Sequence, residues 1–381
     1  MTTSKHWPSI IEEYLENIDT VTEVETNGGT SVFIKEKGVR KEINGVFLDE
    51  EDYINKTRAL AYLIDEKKTV ESFADYEYPE FLVEGKLILS GGRTARVHIV
   101  LPPACETPQV TIAKKSKALG SLASIRDRGS FDTVIYDFLK ACVRSKQTIV
   151  ISGGTGSGKS TILEAMSQEF NDNDRIGVVE DSQELQLSQK NVTYLHSTLW
   201  IPGTDKNSVA TLSWCVQQIN RQRTDKLIIG ETRGAEFADF IVGANSGMEG
   251  SLTTIHANNP RAALQKMTQF VSLAQPQATA RTINESIASA VDIIIQLGFD
   301  KHKKNRLLSI VEVSETLGNT DSAQIATHPL FKFNENTEKW EFEGYLSQTL
   351  ATKFESHGFD PRTFKAQGAL AAPVRNNRFS K

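Results

Sequence analysis

The feature that most constrains this chain is a run of eight residues, Gly153-Gly154-Thr155-Gly156-Ser157-Gly158-Lys159-Ser160. It follows a β-branched apolar stretch, Thr148-Ile149-Val150-Ile151, and precedes a segment from Ser160 to Phe170 that reads as a helix. The pattern is G-x-x-x-x-G-K-[ST] in a strand–loop–helix setting, which points to a phosphate-binding loop at the carboxyl edge of a parallel sheet. Glycines let backbone N–H groups converge on an anion, and the helix N-terminus adds partial positive charge. The spacing gives Lys159 to the β and γ phosphates and Ser160 to Mg²⁺, and Thr161, next in the chain, is grouped with the nucleotide-binding residues.

Downstream of the loop, apolar strands alternate with helical segments. RIGVVED, DKLIIGE, GSLTTIHA and VDIIIQLG read as strands, and LSWCVQQINRQR, EFADFIVGANSG and PRAALQKMTQFVSL as helices. That alternation predicts an α/β domain with a mostly parallel sheet covered on both faces. Upstream, a short helix, alternating segments around Asn-Gly turns and a hairpin at Gly91-Gly92 predict a smaller α+β domain. The expected organisation is an N-terminal α+β domain over 1–113, a linker over 114–130, the nucleotide-binding domain over 131–345, and a C-terminal appendage with a basic tail over 346–381.

Hydrolysis needs one carboxylate near the attacking water and another near the metal. Two predicted strands end in such groups, and a third ends in a histidine. Ile176–Val179 runs into Glu180-Asp181, with Glu184 just beyond; Leu227–Gly230 runs into Glu231; and Leu252–Ile255 runs into His256. Glu180 and Asp181, with Ser160, are the candidate Mg²⁺ ligands, partly through water. Arg221, Arg223 and Arg233 flank the Glu231 strand, and Arg93 and Arg96 lie in the N-terminal domain. Arginines of this kind can neutralise charge on a γ phosphate.

Composition removes other classes. The net charge of −5, from 43 basic and 48 acidic residues, argues against a general nucleic-acid binder. Three widely spaced cysteines build neither a disulfide framework nor a paired-cysteine zinc site, so a reducing cytoplasm is the expected compartment. No stretch approaches the ~20 apolar residues of a membrane span, and the first residues lack a signal-peptide core.

Four boxes now resemble one family, the secretion traffic ATPases of type II and type IV secretion and of type IV and tad pili. GGTGSGKST is similar to its Walker A box, VVEDSQEL to its Asp box, LIIGETRGAE to its Walker B box, and GSLTTIHANNPRAAL to its His box. YLENIDTVTEVETNG, RTARVHIVLPP and ESIASAVDIIIQL extend the resemblance over roughly residues 10–360. It is nearest to the CpaF-like tad-pilus branch, with conjugation-type type IV secretion motors close by. The resemblance implies a RecA-like P-loop ATPase domain, ATP and Mg²⁺, a homo-hexamer, and peripheral attachment at the inner face of the cytoplasmic membrane beside secretion or pilus proteins. It implies Glu184 as catalytic base, Glu231 supporting metal and water, His256 at the γ phosphate, and Arg96 reaching over the nucleotide with Arg93 as alternate. Arg221, Arg223 and Arg233 fall where the family has arginines near the site or the subunit boundary.

One departure matters. Where the family often reads Thr-Ile-Arg, this chain has Thr111-Ile112-Ala113 followed by Lys114-Lys115, so a lysine could only partly take over an arginine's role. Two other readings of the loop are a nucleotide-gated assembly switch with little turnover and a RecA-like nucleic-acid translocase; the intact acidic set and the His box weigh against them.

Overall fold

The N-terminal segments alternate apolar and polar residues, and in the computed structural model they form antiparallel strands. The structure describes residues 9–18, 20–29, 31–36, 39–64, 82–89, 94–114, 120–181, 184–197, 210–317 and 324–364. These fall into two compact units. One holds the described residues up to Lys114, with Glu184, and the other holds the rest from Gly120 onward. Arg93 and the basic tail beyond Phe364 lie outside the described residues.

The first unit contains α1 (Ser9–Glu16), β1 (Val21–Asn27), β2 (Val32–Glu36), β3 (Val39–Ile43), α2 (Glu50–Ile64), β4 (Leu82–Ile88), β5 (Thr94–Val100) and β6 (Gln109–Lys114). Its sheet runs β3-β2-β1-β6-β5-β4, with neighbours antiparallel. Alternation buries Val21, Val24, Val97, Ile99, Val110 and Ile112 in one core with Tyr53 and Leu60 of α2. Lys114 ends β6 and donates to the carbonyls of Tyr14, Leu15 and Ile18 at 2.6, 2.9 and 2.8 Å. It closes the carboxyl end of α1. Of the two lysines after Ala113, this one has its ammonium held by those three carbonyls, and Lys115 lies outside the described residues.

The second unit contains α3 (Leu122–Asp127), α4 (Thr133–Arg144), β7 (Ile149–Gly153), α5 (Lys159–Ser167), β8 (Ile176–Glu180), β9 (Val192–His196), α6 (Leu212–Arg221), β10 (Lys226–Thr232), α7 (Glu236–Ala244), β11 (Leu252–Ile255), α8 (Pro260–Ala274), α9 (Ala280–Ala290), β12 (Ile293–Phe299), β13 (Asn305–Leu317), β14 (Gln324–Asn334), β15 (Lys339–Phe342) and α10 (Gln348–Ser356). Its sheet runs β15-β14-β13-β12-β7-β11-β10-β8-β9. The run from β12 to β9 is parallel, and β13 to β15 continue it antiparallel. β7, β8 and β11 are buried along their whole length, as strands covered on both faces must be. The helices start where local chemistry favours it: Asp132, Thr211, Asn259, Thr279 and Ser347 each accept a first-turn N–H, and Pro260 follows Asn259.

This arrangement is the RecA-like α/β fold after a smaller antiparallel domain that the sequence predicts. Within it, α3 occupies part of the stretch read as linker, and α10 packs into the second unit through Phe354.

At the opposite edge of the sheet, the buried Lys226 donates to the carbonyl of Glu249. Burial pulls its pKa down to about 8 from 10.5. Below about pH 8 the ammonium is charged in both states; between about 8 and 10.5 only the unfolded chain keeps the proton. Stability owed to this residue therefore rises with pH across that window. In urea titrations, the stability difference between wild type and Lys226→Met should shift toward wild type from pH 7.5 to 9.5. A constant difference would contradict the assignment.

Candidate active site

The loop after β7 closes tightly at three of its glycines, Gly153, Gly156 and Gly158. A Cβ on Gly153 would lie 2.4 Å from Ser157 Oγ and 2.8 Å from the Leu297 carbonyl oxygen, and that backbone cannot give way. Gly156 and Gly158 have φ of +75° and +92°, left-handed values natural to glycine. Gly158 is the N-cap of α5, so the first-turn N–H groups of this helix face the loop without a capping side chain. Ser157 Oγ donates to the Gly154 carbonyl at 2.8 Å. Lys159, 7% exposed, donates to the carbonyls of Gly153 and Gly154 at 3.1 and 2.9 Å.

From Lys159 a row of polar contacts crosses the carboxyl ends of neighbouring strands. Lys159 Nζ lies 3.3 Å from His256 Nδ1, and His256 Nε2 lies 2.7 Å from Glu231 Oε1. Arg233 donates to Glu231 Oε2 at 2.6 Å and to Asp181 Oδ2 at 3.0 Å, and Ser197 Oγ donates to Asp181 Oδ1 at 2.7 Å. The direction of donation assigns the histidine tautomer: Lys159 can only donate, so Nδ1 accepts and Nε2–H donates to Glu231. The strands make this row possible. Ile255, just before His256, pairs with Ser152 of β7 and Thr232 of β10, so β11 sits between the loop strand and the Glu231 strand. Thr254 Oγ1 donates to the Gly230 carbonyl at 2.7 Å and holds the two strand ends together. Glu236 Oε1 accepts from the backbone N–H groups of Arg233 and Gly234 at 2.5 and 2.8 Å, fixing the turn that carries Arg233.

The electrostatics follow from burial and mutual contact. Burial pulls the Lys159 pKa down to about 8, against the pull of Glu231. The His256 pKa is lowered by burial and then by the Lys159 charge, which keeps the imidazole neutral as the tautomer requires. Burial would raise the Glu231 pKa, but Arg233, His256 and Lys159 together hold it below the ordinary value.

Of the other expected residues, Glu180 ends β8 buried, and both its oxygens accept the Leu185 N–H at 3.2 Å. The missing side chain at Gly230 leaves it room, since a Cβ there would lie 2.9 Å from Glu180 Oε1. Ser160 and Thr161 are half-buried on the first turn of α5, and Thr155 is exposed in the loop. Glu184 is exposed in the turn beyond β8 and groups with the first unit. Arg96, on β5 of that unit, has Nη2 3.9 Å from Glu84 Oε1. Arg233 joins the row, whereas Arg221 and Arg223 are exposed at the amino end of β10, the edge of the sheet away from Glu231. Sequence reasoning missed Ser197 and Gln296. The buried Gln296 of β12 donates to the Ala257 and Leu297 carbonyls at 3.2 and 3.1 Å, tying the turn behind His256 to the strand beside the loop. No spacing rule flags a glutamine in a strand; only the sheet order brings it there.

Comparison with known proteins gives consistent findings. The model of a family described as Type II/IV secretion system protein matches residues 80–331. The conjugal transfer protein TrbB of Rhizobium radiobacter is 30% identical, over 60% of this chain and 66% of its own. The type IV secretion system protein PtlH of Bordetella pertussis is 29% identical, over 54% of this chain and 67% of its own. The crystal structure of the pilus retraction motor PilT with bound ADP superposes with a TM-score of 0.54 at 15% identity, covering 93% of this chain and 87% of PilT. That likeness speaks for the fold.

Proposed function

The chain belongs to the Type II/IV secretion system protein family, and from that premise we propose that it is a hexameric ATPase motor. Its hydrolysis of ATP powers assembly or substrate transfer in a type IV secretion or conjugation system, or in a tad or type IV pilus, at the inner face of the cytoplasmic membrane. The observation that carries this reading is the row Lys159–His256–Glu231–Arg233 beside the glycine loop. The names of TrbB and PtlH favour conjugation and type IV secretion over the pilus systems. Among the described residues, no helix is long and apolar enough to cross a membrane.

In this mechanism the triphosphate enters the loop, and Lys159 exchanges the Gly153 and Gly154 carbonyls for phosphate oxygens. The residues present suit Mg²⁺: the Ser160 hydroxyl opens α5, and the Glu180 and Asp181 carboxylates close β8. Ser160 would hold the ion directly and the two acids through water, as Mg²⁺ bound to a nucleotide prefers. When bound, the ion neutralises phosphate charge. Glu184 orients the attacking water and takes its proton, Glu231 holds His256 as the Nε2–H tautomer, and His256 senses the γ phosphate through Lys159, the donor to its Nδ1. Arg96 neutralises the phosphates further. Loss of the γ phosphate removes these contacts and resets the site.

The test is Mg²⁺-dependent ATPase activity against protein concentration, with mass photometry on the same samples. Turnover should rise as a six-membered ring forms. Glu184→Gln should lower it by about a hundredfold or more, the usual weight of a general base. Concentration-independent turnover by a monomer would remove the ring from the proposal. Normal turnover by Glu184→Gln would remove that residue as the base.

A further inference from the structure

Phe299 and Asn305 face each other across the start of the β12–β13 hairpin, directly beside the phosphate loop. Leu297 of β12 pairs with Gly153 at the end of β7, so Phe299, two residues on and on the same face, extends past β7 over the loop. A Cβ on Gly156 would lie 3.9 Å from the tip of the Phe299 ring. Asn305 Nδ2 donates to the Gly156 carbonyl at 3.2 Å and fastens the hairpin to the loop. Phe299 is nevertheless 48% exposed, and it is the one exposed phenylalanine among the described residues.

The hairpin is rigid where it carries this ring. The buried Asp300 accepts from the backbone N–H groups of His302 and Lys304 at 2.8 and 2.9 Å, and from Arg306 Nε at 2.9 Å. The other end of the Arg306 guanidinium donates to the Gly129 carbonyl, and its plane lies 5.6 Å from the Phe333 ring centroid and 5.9 Å from that of Trp340. A half-exposed aromatic ring, held by a pinned turn and resting on a phosphate loop, offers a flat apolar surface at a fixed distance from the phosphates.

We propose that Phe299 is a nucleobase platform: the base of the nucleotide whose phosphates occupy the loop stacks on its ring, with Asn305 positioning the loop against it. This rests on the nucleotide-binding reading above and deepens it. Every base has a π-face, so a bare phenyl ring strengthens binding of purine nucleotides without selecting adenine over guanine. Discrimination between them lies with other groups.

The test measures binding of ATP, GTP and inorganic tripolyphosphate, each with Mg²⁺, to the full chain by calorimetry. Phe299→Ala should weaken ATP and GTP alike by about tenfold, the scale of one base–aromatic stack, and tripolyphosphate by less than about twofold. Phe299→Trp should restore nucleotide affinity, and its emission should respond to ATP, but not tripolyphosphate, beyond the response of the wild type. The proposal is overturned if Phe299→Ala binds ATP as the wild type does. It is also overturned if the variant weakens tripolyphosphate as much as ATP, because the ring then shapes the loop. Wild type that binds tripolyphosphate as tightly as ATP would remove the platform and leave the phosphate loop standing. Wild type that binds neither would remove the nucleotide reading, and the platform with it.

Discussion

Glu231→Gln should lower MgATP turnover by about two to three orders of magnitude, the effect of losing one preorganised charged contact, while nucleotide affinity changes by less than about tenfold. The reason is the arithmetic of donors and acceptors. The carboxylate accepts from His256 on one oxygen and from Arg233 on the other. A carboxamide offers one acceptor and one NH₂ group, so either the imidazole or the guanidinium meets a donor. If the NH₂ faces His256, the ring must move its proton to Nδ1, which then opposes the Lys159 ammonium. If it faces Arg233, that side chain loses its bond at 2.6 Å to Glu231 and keeps the one to Asp181. Either way the row from Lys159 to Arg233 breaks, while the glycine loop, the proposed phosphate cradle, is untouched. Single-turnover hydrolysis and equilibrium binding on the same preparation separate the two effects. Turnover within threefold of wild type would show that the row is not needed for chemistry.

Phe138→Ala should destabilise the second unit by about 3–5 kcal/mol, the range for deleting a buried phenyl ring. Its melting transition should fall by about 10 °C at this domain size. Phe138 is fully buried on α4, and its ring meets those of Phe331, Phe354 and Phe364 edge-on at 5.1, 5.7 and 5.5 Å between centroids. Edge-to-face pairs of this kind add to the area term. The cluster joins α4, β14 and α10, so the cavity opens where the C-terminal helix docks. Protection of α10 amides from hydrogen exchange should be lost before that of β7. A shift of less than about 1 kcal/mol would mean that the site collapses without cost, against the measured behaviour of such cavities.

The phosphate loop was legible because its chemistry is local: glycine conformation, a preceding strand and a following helix are all read within a few positions. The strand–helix alternation was legible for the same reason, since fully buried strands leave continuous apolar runs such as Ile293-Ile294-Ile295. The acids and His256 could be proposed from their places at strand ends. That they form one row depends on β11 lying between β7 and β10, which no local pattern encodes. Nearness to Glu231 in sequence does not by itself make a partner: a strand's length separates Arg221 and Arg223 from the row, whereas Arg233 joins it. Which of Lys114 and Lys115 could partly replace an arginine is not readable from their order; β6 places Lys114 at the end of α1. Phe299 gave no signal at all, because one aromatic after a strand is ordinary until the sheet order puts that strand beside the loop.

The sheet order also has a consequence for biosynthesis. The strand that carries the phosphate loop pairs on one side with Leu252–Ile255 and on the other with Ile293–Phe299. Both neighbours leave the ribosome long after β7 does, so at ~5–20 residues per second this apolar strand waits roughly 5–20 s with both edges bare and roughly 7–30 s before the second can be covered. During that interval the nascent chain presents an unpaired Ile149-Val150-Ile151 to anything that can add a strand. Nucleotide cannot rescue it, because the groups that would grip the phosphates are not yet assembled. The nascent chain is thus exposed to misassembly at the strand that carries the glycine loop, and a holdase protecting it would have to act before residue 293 emerges.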